Sequence, residues 1–206
     1  MTAKVPRTPP ADLFIAKADL TGCGDPLWRI CRTTGPHARP WNAGRSYGPL
    51  AGMRWEPHDP PARSQPARAV LYAATDVATA VAEVWQVTRR IDVHLGRPVL
   101  VRATPTRALR LLDLTDASTW PLRQGASASL PHAGRGTSRA WSRAILDAAP
   151  DLDGLYVPST KTGRNVVLFP GGIAALPSSP DMSIPADDPA AKALLEVIAA
   201  RIGYRV

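Results

Sequence analysis

Two arginines, a glutamate, a tyrosine and a serine stand out for the chemistry that their types allow. Arg29 sits in the alternating stretch Pro-Leu-Trp-Arg-Ile-Cys-Arg, and Arg54 precedes Trp55 in a segment rich in Gly, Pro and Arg. A planar guanidinium grips phosphate oxygens in bidentate fashion. Glu83 is the only acid in the body of a helical pattern that follows Asp76. A carboxylate can stabilise developing positive charge or orient a nucleophile. Tyr72 can stack on a planar ligand or hydrogen-bond a hydroxyl. Ser159, in a polar loop, can donate a hydrogen bond. Each residue also has a plainer reading. An arginine is most often solvated or ion-paired, and a glutamate on the margin of an apolar stripe is most often a solvated flank. Tyrosine on a buried strand is more often core, and serine after proline more often shapes a turn.

Other routes to catalysis are missing. The sequence has no G-x-x-x-x-G-K-[ST] phosphate loop and no G-x-S-x-G elbow. Gly134-Arg-Gly136 begins a dinucleotide fingerprint, but Arg139 stands where its third glycine belongs. His37, His58, His94 and His132 are spaced without a metal-ligand pattern, so no metal is expected. Any chemistry must therefore use Arg, Tyr, Glu and Ser.

The 206 residues suit one domain with a short appendage. No run is long and apolar enough to span a bilayer, and residues 1–14 lack the apolar core of a secretory signal. Two cysteines, Cys23 and Cys31, make no disulfide framework, and a reducing cytoplasm is the simpler expectation. The net charge is +8, and every basic residue except Lys4, Lys17, Lys161 and Lys192 is Arg. These arginines are scattered and not interleaved with aromatics. A local anion pocket is expected ahead of nucleic-acid binding.

The elements that must position these residues follow from periodicity. Residues 27–31 alternate like a short strand, and 69–73 read as a buried strand. Asp76 or Thr75 then caps a helix whose stripe is Val77, Ala80, Val81, Val84 and Trp85. Residues 97–104 and 109–114 give two more strands. Ser138 begins a helix to about Ala148, and Asp153-Gly154 reads as a turn. Residues 155–158 and 165–169 flank a polar loop as two further strands. The long irregular segment 35–68 is functional or disordered. Residues 1–12 read as a flexible N-terminus, 13–176 as the catalytic domain, and 177–206 as a linker and C-terminal helix. Leu194, Leu195, Ile198 and Ile202 line one side of that helix, with Asp188 as its cap. The fold class is α+β.

Three segments, taken in order, resemble the RES domain. They are Trp28-Arg29-Ile30; Arg54-Trp55 with Val70-Leu71-Tyr72-Ala73-Ala74 and Ala80-Val81-Ala82-Glu83; and Asp153–Ser159 followed by Asn165-Val166-Val167-Leu168-Phe169-Pro170. The resemblance covers roughly 27–171. It departs from the family at Met53, where a glycine is usual before the Arg-Trp pair, and in the Pro-rich stretch 56–68.

The resemblance implies an ADP-ribosyltransferase-like mixed β core with flanking helices. It also implies a toxin that cleaves NAD at the nicotinamide–ribose bond and is neutralised by a helix-turn-helix antitoxin. The acceptor can be inorganic phosphate, as a co-substrate, or water. The alternatives are an ADP-ribosyltransferase that modifies a protein target and a non-catalytic interaction domain. On the enzyme reading Glu83, Arg29 and Arg54 carry catalysis, and the two arginines also clamp the NAD pyrophosphate. Tyr72 and Ser159 bind the nucleotide, Tyr47 covers it, and Asn165 orders the third segment. An oligomer or a toxin–antitoxin complex is expected, with no cofactor beyond NAD as substrate, no membrane and no direct nucleic acid.

Overall fold

The computed structural model describes residues 5–206. In chain order its strands are β1 (Leu20–Cys23), β2 (Leu27–Arg32), β3 (Tyr47–Gly48), β4 (Arg63–Ser64), β5 (Leu71–Ala74), β6 (Pro98–Ala103), β7 (Leu109–Asp113), β8 (Gly154–Pro158), β9 (Arg164–Leu168) and β10 (Met182–Pro185). The α-helices are α1 (Val77–Val84), α2 (Trp120–Arg123), α3 (Arg135–Ala148), α4 (Pro170–Ala174) and α5 (Pro189–Ile202). Eight strands form one sheet in the order β1-β7-β8-β9-β5-β2-β6-β10, and β3 pairs with β4 apart from it. Only β7 and β8 run parallel. This mixed sheet flanked by helices is the expected α+β class.

The sheet is split at one join. β2 is paired with β6 along its whole length but with β5 only at Trp28–Ala74. Beyond that pair the strands part, and backbone groups on both must find other partners.

Helices cover the sheet for reasons visible in their residues. The Asp76 side chain caps α1 by accepting from Thr79 N at 2.8 Å. Ala78 through Ala82 are all buried, because the strands lie on one side and α5 on another. The expected stripe holds at Ala80, Val81 and Trp85, but Val84 is 40% exposed. α3 starts three residues earlier than the sequence suggests. Ser138, expected as its first residue, is inside it and donates its hydroxyl back to Ala133 and Gly134. The core under α3 centres on Trp120 and Trp141, packed edge to face with centroids 5.9 Å apart.

The first and last described segments are tied to this body. Of the N-terminal stretch read as flexible, residues 1–4 lie outside the described residues. Val5 packs on the core, and Trp141 Nε1 donates to the Pro6 carbonyl at 2.9 Å. Part of the expected linker is a strand: β10 extends the sheet by pairing antiparallel with β6. Its Met182 and Ile184 are half-buried, alternating with exposed Ser183 and Pro185. α5 then packs beside α1, burying Ala191, Leu195, Ile198 and Ala199, while Leu194 stays 38% exposed. Among the described residues no helix is long and apolar enough to cross a membrane.

Candidate active site

A cleft of about 500 Å³ lies over the split in the sheet. Its floor is one face of four strands. Register places Trp28, Ala74, Asn165 and Val157 in a single row from β2 to β8, with Tyr72 beside Val167 in the next row. All six line the cleft. The walls come from the loop that holds Gly52 to Trp55, from the last turn of α1, from Pro131 in the turn ahead of α3, and from Arg135 at the start of α3.

Glu83 is the one carboxylate lining this cleft. Its Oε1 accepts hydrogen bonds from the Ser159 hydroxyl at 2.7 Å and from Asn165 Nδ2 at 2.8 Å. Bonds to an ionised acceptor are about twice as strong as neutral ones, and two converging donors fix the carboxylate plane. Oε2 keeps only Gln86 Nε2, at 3.3 Å.

The loop that brings Ser159 there is docked on the start of α1. The Thr79 hydroxyl lies 2.8 Å from the Thr162 carbonyl and 2.7 Å from Asp76 Oδ2. Gly163, at φ +60°, passes so close that a Cβ would sit 2.2 Å from Thr79 Oγ1. The cap of α1 and the β8–β9 turn are thus one packed unit, with Glu83 at the other end of α1 and Ser159 at the near end of the turn.

Arg29 and Arg54 both line the cleft, although Arg29 alternates with Trp28 along β2 and so leaves the strand from its opposite face. Arg29 sits at the split, where its Nη1 donates to the Tyr72 carbonyl at 3.4 Å and its Nε to Cys31 Sγ at 3.1 Å. Arg54 Nη1 donates to the Ala133 carbonyl, and the Tyr72 hydroxyl donates to the Arg54 carbonyl. Burial pushes the Tyr72 phenol far above its usual range, so it stays protonated and donates. Arg32 and Arg135 line the cleft as well. Among the described residues none of these four guanidiniums has a carboxylate partner, although Arg45, Arg68, Arg107, Arg123 and Arg143 all do. The cleft therefore carries four cations against one anion, which favours an anionic ligand.

The structure brings Arg29, Arg54, Tyr72, Glu83 and Asn165 together, with Ser159 joined to them through Glu83. Tyr47 stands apart. It is 49% exposed on β3 and does not line the cleft, because β3 pairs with β4 away from the main sheet. The sequence reading missed Trp28, Arg32, Met53 and Arg135 as lining residues. Trp28 was within reach, since it alternates with Leu27 and shares a face with Ile30. Arg135 was not, because α3 was begun too late. Nor does Asp153-Gly154 form a surface turn. Asp153 is buried, bonded to Arg107 through both oxygens at 2.6 and 2.7 Å, and Gly154 opens β8.

The family model for the RES domain matches residues 26–187. The chain belongs to the RES-domain family. The match takes in every element that builds the cleft. No curated protein matches the chain. Among solved structures, the crystal structure of the M. tuberculosis MbcT–MbcA toxin–antitoxin complex contains a chain with the same fold. It aligns with a TM-score of 0.52 and 15% identity, over 88% of this chain and 92% of that one. A likeness at that identity speaks to the fold of this RES-domain protein. Its chemistry has to be read from the cleft.

Proposed function

We propose that this RES-domain protein is the toxin of a toxin–antitoxin pair and that it cleaves NAD between nicotinamide and ribose. The observation that carries the reading is Glu83, held by Ser159 and Asn165 as the only carboxylate in a cleft of otherwise unpaired arginines. NAD matches that charge pattern. Its pyrophosphate is an anion for Arg29 and Arg54, and its reacting ribose becomes cationic as the bond breaks.

In the reaction the bond between ribose C1″ and the pyridinium nitrogen breaks, and its electron pair leaves with neutral nicotinamide. The carboxylate of Glu83 stabilises the oxocarbenium-like ribose. An oxygen of inorganic phosphate then bonds to C1″ and gives ADP-ribose 1″-phosphate. If water attacks instead, the product is ADP-ribose and one proton is released. Tyr72 and Trp28 supply aromatic surface for the nicotinamide or ribose. An enzyme that consumes NAD needs restraint in its own cell. The solved neighbour is a toxin–antitoxin complex, which supports a protein antitoxin as the restraint.

Incubating purified protein with NAD, with and without inorganic phosphate, and resolving the products by mass tests the acceptor. Nicotinamide released only with phosphate identifies a phosphorylase, and equal release without it identifies a glycohydrolase. Stable transfer of label from NAD to a cellular protein, with little free product, would replace both with ADP-ribosylation of a target.

A further inference from the structure

The loop that delivers Arg54 is held in an unusual way. Six consecutive carbonyls, from Leu50 to Trp55, each accept a hydrogen bond from a side chain. Arg139 Nη1 lies 3.1 Å from the Leu50 oxygen, 3.2 Å from that of Ala51 and 3.1 Å from that of Met53. Arg135 Nε donates to Gly52 at 2.9 Å, and the Ser142 hydroxyl donates to Trp55 at 2.9 Å. The Tyr72 hydroxyl completes the row at Arg54.

Residues 135, 139 and 142 are spaced by four and three, so they project from one face of α3. Arg54 answers from the loop by donating to Ala133, just ahead of α3. The loop is also strained at its end, since Trp55 holds φ +55° with a large side chain. Such a conformation persists only where its surroundings over-determine it.

We infer that Arg139 is a positioning residue, which sets the 50–54 loop and so presents Arg54 to the cleft before any ligand arrives. Arg139 does not line the cleft itself. It acts through three backbone carbonyls, a task suited to a planar, permanently charged donor. All three bonds run from the one terminal nitrogen Nη1, so a lysine ammonium can replace them in part and a neutral glutamine amide less well. The inference rests on the reading of the cleft as an anion site for the NAD pyrophosphate.

Two readouts separate this inference from that reading. The first is hydrogen–deuterium exchange of the unliganded protein, wild type against Arg139→Gln and Arg139→Lys. Exchange in residues 50–54 should rise about tenfold in the glutamine variant and less in the lysine variant, with β5 and β9 unchanged. Unchanged exchange in the loop would overturn the inference whatever the protein's activity, and so would a rise spread over the whole sheet. The second is calorimetric titration with inorganic pyrophosphate. Arg139→Gln should weaken binding about tenfold, and it should add little to the loss in Arg54→Ala. Full additivity of the two losses would overturn the inference. Binding that obeys this cycle in a protein that leaves NAD intact would keep the clamp and sink the enzymatic reading.

Discussion

Asn165 Nδ2 donates to Glu83 Oε1 at 2.8 Å, joining the middle of the sheet to the last turn of α1. The bond puts a side-chain amide under the one carboxylate of the cleft. Asn165 was expected to order its own segment and help bind the nucleotide; its nearest polar task is to hold Glu83. A hydrogen bond to a charged group contributes about 1.5–3 kcal/mol. Asn165→Ala should therefore lower kcat by roughly ten- to a hundredfold, with a smaller change in KM, if the bond serves the transition state. A steady-state comparison on NAD checks this, and a loss confined to KM would assign Asn165 to substrate binding.

Ser159 should behave alike and not independently. Its hydroxyl shares Oε1 with Asn165, so the two donors act on one oxygen. The double variant Ser159→Ala/Asn165→Ala should lose less than the product of the single losses. A double-mutant cycle measures the coupling, and strict multiplicativity would show that the two donors work separately.

Gly163→Ala tests the packed unit of cap and turn. The new Cβ meets Thr79 Oγ1 and Asp76 Oδ2 in a backbone conformation at φ +60°. Left-handed backbone alone costs an ordinary residue about 1–2 kcal/mol. The variant should melt several degrees lower and lose activity, because the turn that carries Ser159 must move off α1. A thermal melt with an activity assay on the folded fraction reads both effects.

His58 gives the stability a pH dependence. Burial, with Arg45 beside it, holds its pKa below the usual 6.5. In the unfolded chain the imidazole titrates near 6.5, so below that pH the unfolded state binds a proton that the folded state resists. The contribution is therefore present above about pH 6.5 and is lost as pH falls from there towards the lower folded value. The melting temperature of wild type should drop between about pH 7 and pH 5 more steeply than that of His58→Gln. Parallel curves for the two proteins would contradict this assignment.

Much of this was legible in the sequence where periodicity speaks. Strands at 27–31 and 155–158, the helix after Asp76 and the polar loop with Ser159 all follow from alternation, capping and turn residues. The split between β2 and β5 was not legible, since a register that stops after one pair leaves no pattern in either strand. β10 was hidden because Pro, Ser and Asp dominate residues 177–188 and only Met182 and Ile184 mark a strand. The 50–55 loop was hidden for another reason. Its carbonyls are satisfied by side chains from α3 and β5, and such bonds impose no period. Tyr47 was drawn into the site by its place in a functional-looking loop, whereas pairing with Ser64 carries it elsewhere.

The most direct test of the account is NAD consumption by wild type and by Glu83→Gln, with any copurifying protein removed and circular dichroism showing both to be folded. Glutamine keeps the size of Glu83 but removes the charge set between Ser159 and Asn165. The account predicts nicotinamide release by wild type and a loss of at least a hundredfold in the variant, the order expected when a transition-state charge partner is removed. Equal release by both proteins would contradict the role of Glu83, and intact NAD with wild type would contradict the proposed reaction.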